Sequence, residues 1–305
     1  MVRFVIRRLA LGLFVMWVAT VVVFALSRAA GDPRYLFVSE YSTQEQWEEW
    51  GVRFGLDRPY PMQYLVWLGK AVRLDFGDSI YFNDNVWKII PTRFGASFGL
   101  AIGAYAFAVV VGIPLGIISA ITRGSYWDLA GRAIALLGQA MPGFWLGIML
   151  ILIFSVQLRL LPTSGMGDWK HYVLPAVTLG WFPAAGLLRL IRSSLLETLD
   201  SEYVKFARAK GVSGRKVILK HALRNAAVVP LTYGGILLAA FITGAVITET
   251  VFFWPGLGRL SVQAVFNTDF PMLSALVLLF TAVFLIANLL IDILYVVIDP
   301  RIRIQ

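Results

Sequence analysis

The chain has 305 residues, 58% of them hydrophobic and only 15% charged, with a formal net charge of +9. A soluble domain carries about 25% charged residues, so this composition excludes an ordinary globule and points to a polytopic membrane protein. The basic residues lie in short segments between apolar runs, where positive-inside bias accounts for them more simply than nucleic-acid binding does. With no cysteine, neither a disulfide framework nor a thiolate metal site can form, and the two histidines, His171 and His221, lie far apart.

Residues 1–8 are short and basic (Arg3, Arg7, Arg8), and residues 9–26 form an uncharged run of 18 residues. That run exceeds the roughly 7–15 residues of a signal-peptide core and is about long enough to span a bilayer. Residues 1–28 are therefore expected to be an inward tip and a retained first transmembrane helix. Residues 29–97 are the one long hydrophilic stretch and carry Glu40, Glu45, Glu48, Glu49, Asp57, Asp75, Asp78 and Asp84. Tyr60-Pro61 and Gly77-Asp78 are turn signals. Residues 44–50 can be helical and polar, and residues 62–72 carry apolar side chains at helical spacing, as a surface helix does. The stretch is predicted to be a small extracytoplasmic subdomain.

Residues 98–305 are predicted to form the membrane core, with spans at about 98–121, 133–158, 173–190, 231–253 and 272–298. The second span holds Gly103, Gly112, Pro114 and Gly116, small or kinking residues that let helices approach closely in lipid. The third is interrupted by Gln139-Ala140-Met141-Pro142-Gly143, and the fourth holds Pro175 and Pro183. Residues 254–271 are expected to be a loop. With the N-terminus inside, the short inward segments hold 16 of the 27 Lys and Arg residues. The short outward segments hold three, Arg159, Lys170 and Arg259. The long insertion translocates largely regardless of its charge. Both termini and residues 202–230 are thus expected to be cytoplasmic.

That stretch, EYVKFARAKGVSGRKVILKHALRNAAVVP, contains seven Lys or Arg residues. Charge alone allows a helix lying on anionic lipid. Gly211 and Gly214 interrupt a single helix, and the apolar positions change face between Val204, Ala207 and Val217, Ile218, Ala222, Leu223. A short helix, a turn and a second helix are predicted, a knob suited to a groove on a partner protein. Elsewhere, Asp292 is a charge within the sixth span near its cytoplasmic end, where capping or pairing with a loop Arg is favoured over a place in a path or gate. Glu249 lies near the outer end of the fifth, where interface pairing is the favoured role. Gln139, Met141, Pro142 and Phe144 either line a path or merely kink the third span.

The knob resembles the EAA loop of inner-membrane permease subunits of bacterial ABC importers, whose pattern is Glu-Ala-Ala, three residues, Gly, nine residues, Ile-x-Leu-Pro. Set on Gly211, Ala207, Gly211 and Leu223 match, whereas Lys205, Phe206 and Arg224 depart. The departures are similar to the dipeptide/oligopeptide/nickel branch. So are Gly55-Leu56-Asp57-Arg58-Pro59, Leu74-Asp75-Phe76-Gly77-Asp78-Ser79, Leu161-Pro162-Thr163-Ser164-Gly165 and Phe252-Phe253-Trp254-Pro255-Gly256-Leu257-Gly258-Arg259-Leu260. Asn267-Thr268-Asp269-Phe270-Pro271 is similar to a segment that usually has Arg at the place of Thr268.

The resemblance implies an all-α membrane protein of six transmembrane helices in the bacterial inner membrane. It has an extracytoplasmic insertion between helices 1 and 2 and a cytoplasmic coupling helix between helices 4 and 5. It implies a permease for di- or oligopeptides, with nickel, glutathione or oligosaccharide as alternative cargoes. The implied partners are a second homologous permease, two cytoplasmic ATPase subunits holding ATP and Mg, an extracytoplasmic binding protein and membrane lipid, but no nucleic acid. No cofactor is expected in this chain, which lacks a GxxxxGK[ST] motif. ATPase coupling would fall to Tyr203, Lys205, Ala207, Arg208, Lys210, Gly211, Val212, Leu223 and Arg224. The path would fall to Gln139, Met141, Pro142, Phe144 and Asp292, and binding-protein contact to Trp254, Pro255, Gly256, Leu257 and Asp269. An ion-coupled carrier, which needs paired midplane charges, and a membrane enzyme, for which HExxH, GxSxG and cysteine are all lacking, are disfavoured.

Overall fold

A computed structural model of the chain describes residues 2–29, 43–54, 56–226, 230, 233–234, 236–237, 240–241 and 245–298. Among these, regular structure is helical apart from one isolated antiparallel bridge between Asp78 and Asn85. In chain order, α1 is Val2–Ala29, α2 Gln44–Phe54, α3 Tyr60–Val72, α4 Val86–Ile121, α5 Tyr126–Ala140 and α6 Gly143–Leu150, which runs on as a π-helical segment Ile151–Gln157. Then come α7 Trp169–Leu199 and α8 Glu202–Ala209. Next is α9, made of Gly214–Lys216, a π-helical stretch Val217–Ala222 and Leu223–Ala226. The last three are α10 Val246–Val251, α11 Leu257–Phe266 and α12 Phe270–Ile298.

Among the described residues four helices are long and apolar enough to cross a membrane: Ile6–Ala29, Val86–Ile121, Trp169–Leu199 and Phe270–Leu290. Among these residues α5 and α6 with its π-helical continuation make a fifth crossing if they count as one broken span, for the two arms are bent by 107°. The expected third span is therefore not one rod. Pro142 is the reason, because a proline disfavours the helical region for the residue before it, and Met141 is extended with φ −82° and ψ 126°. Within the expected fifth span, 231–253, residues 231–232, 235, 238–239 and 242–244 lie outside the described residues, as do parts of the insertion and the C-terminal residues 299–305. Residues 254–271, expected to be a loop, contain α11.

Two helices outrun their expected spans. The first turns of α4 keep Val86 and Ile90 buried at a spacing of four, so the helix continues past the apolar run as an amphipathic one. At its far end α7 continues to Leu199 with Ile191 and Leu195 buried. Hydropathy marks the membrane-depth part of a helix, not its ends.

The chain forms two compact units, residues 1–92 with 260–286 and residues 93–259 with 287–305. In the first, α3 leans on the end of α1. Phe24 meets Tyr64 edge-on at 5.4 Å and Trp67 at 5.9 Å, and the Thr20 and Tyr64 hydroxyls share a hydrogen bond of 2.9 Å. In the second, α4 and α7 pack backbone against backbone. A Cβ on Gly112 would sit 2.7 Å from the Ala184 carbonyl, and one on Gly180 would sit 2.5 Å from that of Ala104. Around this seam Ala101, Ala104, Ala108, Ala184 and Leu187 form a core with Leu237 and Phe241.

A methyl group at either seam glycine forces the helices apart, an overpacking that costs about 1–3 kcal/mol. Gly112→Ala and Gly180→Ala are expected to lower the melting temperature of the detergent-purified chain. Gly95→Ala, in the same helix with nothing within 4 Å of its Cβ, is expected to leave it unchanged or raise it.

Candidate coupling loop and buried carboxylates

The turn between α8 and α9 is built by backbone chemistry. Gly211 takes φ +78° with open space around its Cβ position, so conformation rather than room selects glycine there. Its N–H donates to the Arg208 carbonyl at 2.9 Å, and the Val212 N–H donates to that of Ala207 at 3.3 Å. These are the two bonds of a Schellman motif, which satisfies carbonyls that a helix end leaves free. Val212 accompanies them by packing with Val204, Ala207, Val217 and Leu199. The two helices thus fold on each other, and the Tyr203 hydroxyl accepts a 2.9 Å bond from the Asn225 amide to close the hairpin.

This packing divides the expected coupling residues. Val212 and Ala207 lie inside the hairpin and Leu223 is half-buried, while Tyr203, Lys205, Arg208, Lys210, Gly211 and Arg224 are exposed. Sequence reasoning omitted Phe206, noticing it only as a departure from the loop pattern. It is 62% exposed at the tip, with the Lys210 ammonium 4.5 Å above its ring. The hairpin is seated by α9, where Ala222 and Ala226 pack with Ala120 of α4 and Leu195 of α7.

Next to that seat lies a joint that sequence reasoning missed. Asp128, only 2% exposed, accepts two bonds from Arg192, Nε at 2.7 Å and Nη2 at 3.0 Å. It also accepts from the Ser119 hydroxyl at 2.8 Å and the Gly124 N–H at 3.0 Å. One carboxylate thereby ties the end of α4, the 122–125 turn, the start of α5 and α7. The available signal was its isolation, since it is the lone acidic residue between Asp84 and Asp168. Nearby, Arg123 and Asp200 make an exposed 3.4 Å pair.

Two more buried carboxylates organise the segments quoted for binding-protein contact. Glu249 is fully buried and accepts from the Ser97 hydroxyl at 2.5 Å and the Arg259 N–H at 2.9 Å, while Ser97 Oγ accepts from the Leu257 N–H at 2.8 Å. The carboxylate thus caps the start of α11. A Cβ on Gly256 would lie 2.3 Å from it, so the chain wraps the acid at glycine distance. Trp254 is 0% exposed, donates from Nε1 to the Ala96 carbonyl at 2.9 Å and meets Tyr172 edge-on. Asp269, also buried, caps α12 through the Met272 N–H at 3.2 Å and accepts from the Ser79 hydroxyl and the Tyr81 N–H. Trp254, Gly256, Leu257 and Asp269 therefore face inward and Pro255 is half-buried, while Phe253 and Phe266 are the exposed aromatic side chains of these segments.

Of the expected path residues, Gln139, Met141, Pro142 and Phe144 cluster at the α5–α6 break. Gln139 Oε1 accepts from Arg189 Nη1 at 2.8 Å, Met141 is half-buried, and Pro142 and Phe144 are exposed. Asp292 lies on α12, and its side chain is outside what the structure describes. Among the described residues no group of three or more His, Asp or Glu could hold a metal.

Residues 112–304 match the family described as binding-protein-dependent transport system inner membrane component, and residues 1–101 match the family of its N-terminal part. A protein of Brucella suis biovar 1, named as a peptide permease, is 39% identical over 100% of both chains. The glutathione transport system permease protein GsiC of Escherichia coli K12 is 39% identical over 99% of both chains. Among solved structures, the inward-facing methionine ABC transporter MetNI superposes with a TM-score of 0.58 at 18% identity, covering 70% of this chain and 97% of that one. An amino acid ABC transporter superposes with a TM-score of 0.53 at 13% identity, over 71% and 93% of the two chains. At these identities the structures speak for the fold.

Breaking a buried ion pair by removing one charge costs about 3–5 kcal/mol, whereas an exposed pair contributes about 0–1 kcal/mol. Thermal unfolding should therefore show a large loss for Asp128→Asn and almost none for Arg123→Gln. A second measurement concerns Thr268, a β-branched residue at φ +54°. A β-branched residue in this region costs about 1–3 kcal/mol. Thr268→Gly is expected to raise the melting temperature, and a fall would refute the strain.

Proposed function

We infer that this chain, which belongs to the family of inner membrane components of binding-protein-dependent transport systems, is the membrane-spanning permease of an ATP-driven importer for peptides or glutathione. Its place is the bacterial inner membrane, as a multi-pass protein. The two 39%-identical relatives supply the cargo class, and nothing in the sequence favours nickel or an oligosaccharide over it. In our reading six spans cross the membrane with both termini inside, and the insertion of residues 29–97 faces outward toward a solute-binding protein. A second permease chain completes the path, and two ATPase subunits bind ATP and Mg on the cytoplasmic side.

The observation that supports coupling is the α8–α9 hairpin. An exposed aromatic pair, Tyr203 and Phe206, stands among Lys205, Arg208, Lys210, Arg215 and Lys216. An aromatic anchor ringed by charge is the composition of an interface hot spot facing an acidic rim. Gly211 shapes the hairpin through its turn conformation and Ala207 from within it. When the ATPase pair closes on ATP, the displaced hairpin carries the inner ends of α4 and α7 through Ala120, Ala222, Ala226 and Leu195. The Asp128–Arg192 joint adds α5. ATP binding then favours one access state over the other through differential contacts on the hairpin.

Phe206→Glu tests this without touching the hairpin core. The variant should insert into the membrane and melt like the parent, yet co-isolate with the ATPase subunit at least tenfold less well, as loss of a hot-spot anchor of about 2 kcal/mol requires. Undiminished co-isolation rules the hairpin out as the docking element.

A further inference from the structure

α7 carries two arginines that reach in opposite directions. Arg192 reaches to Asp128 at the start of α5. Arg189, one turn away, reaches to Gln139, which lies about 16 Å farther along α5 at 1.5 Å per residue. A cation near the end of a span ordinarily extends toward the nearer water, as Arg192 does. Arg189 extends toward the α5–α6 break instead, and its side chain is exposed on the surface of this chain. Its described hydrogen bond goes to a neutral amide, and no carboxylate pairs with it among the described residues. The Tyr233 hydroxyl packs against Gly186, one turn before Arg189, and adds a third polar group to the same side of the bundle.

An exposed guanidinium that no described carboxylate neutralises cannot face hydrocarbon, so it faces water or an anion. Gln139 fixes Nη1 and leaves the rest of the planar fork free for a two-point contact with a carboxylate. We propose that Arg189, oriented by Gln139, is the anion-recognising group of the translocation path, and that its ligand is the free carboxylate of the solute in transit. This rests on the importer reading, since peptides and glutathione both carry such groups. The Met141-Pro142 break ends α5 at Ala140, directly after Gln139, so the pair sits where the helix stops.

The test uses the complete transporter with its binding protein in proteoliposomes, with tri-alanine and its C-terminal amide as probes. Arg189→Gln should lower uptake of the free acid on the order of tenfold relative to the amide, and Arg189→Lys should lower it less. Selectivity imposed by the binding protein cancels when variant and parent are compared. An equal fall in both fluxes overturns the proposal and marks Arg189 as a contact to the second permease or to lipid. Because this chain has no cysteine, Arg189→Cys also offers a unique thiol within it. Modification of that peptide by a membrane-impermeant thiol reagent, read by mass spectrometry, places position 189 on a water-filled path. Lack of modification overturns the proposal. If the parent moves neither peptide, the cargo reading fails, and the labelling result alone decides the residue.

Discussion

Inside a bilayer no hydrophobic force draws helices together, so contact depends on how closely their backbones can come. The seam between α4 and α7 meets that condition with glycine and alanine on both sides, carbonyls lying where side chains would otherwise stand. Much of the second unit is arranged on it. α7 carries the α8–α9 hairpin at its end and receives α5 along its side, where a Cβ on Gly138 would lie 2.5 Å from that of Ala185. A seam of bulkier residues would leave α9 without the surface on which Ala222 and Ala226 rest.

Three buried carboxylates complement this apolar seam. Asp128, Glu249 and Asp269 each end a helix or begin one, and each accepts bonds from donors distant in sequence. A buried charge is costly unless its lone pairs are filled, so each acid fixes the backbone around it. The segments between spans are thereby ordered, although their composition reads as loop. In such an arrangement polar residues give specificity of geometry, and small residues give proximity.

Much of this was legible in the residues. The apolar runs located α1, α4, α7 and α12 because a bilayer demands long uncharged stretches, and Gly211 announced the turn between α8 and α9 because no other residue takes positive φ freely. The ends of α4 and α7 were not legible, since beyond the membrane their burial follows a helical face rather than hydropathy. The break at Met141-Pro142 was visible, but its angle depends on packing that no local rule supplies. The buried acids were hardest. Glu249 and Asp269 were noticed as single residues, yet their partners Ser97 and Ser79 stand 152 and 190 positions away. Trp254 and its glycines looked like surface features because short motifs do not reveal which way they face.

The π-helical stretch in α9 sets a phase. From Val217 to Ala222 the helix holds one residue more than an α-helical turn would, and Val217 packs in the hairpin while Ala222 packs in its seat. Removing that single residue would turn one end against the other by roughly 100°. The compass bearing of Phe206 relative to the membrane core is thus set by a count of one. Homologous chains that keep every side chain of the tip but lose the extra residue would aim it elsewhere.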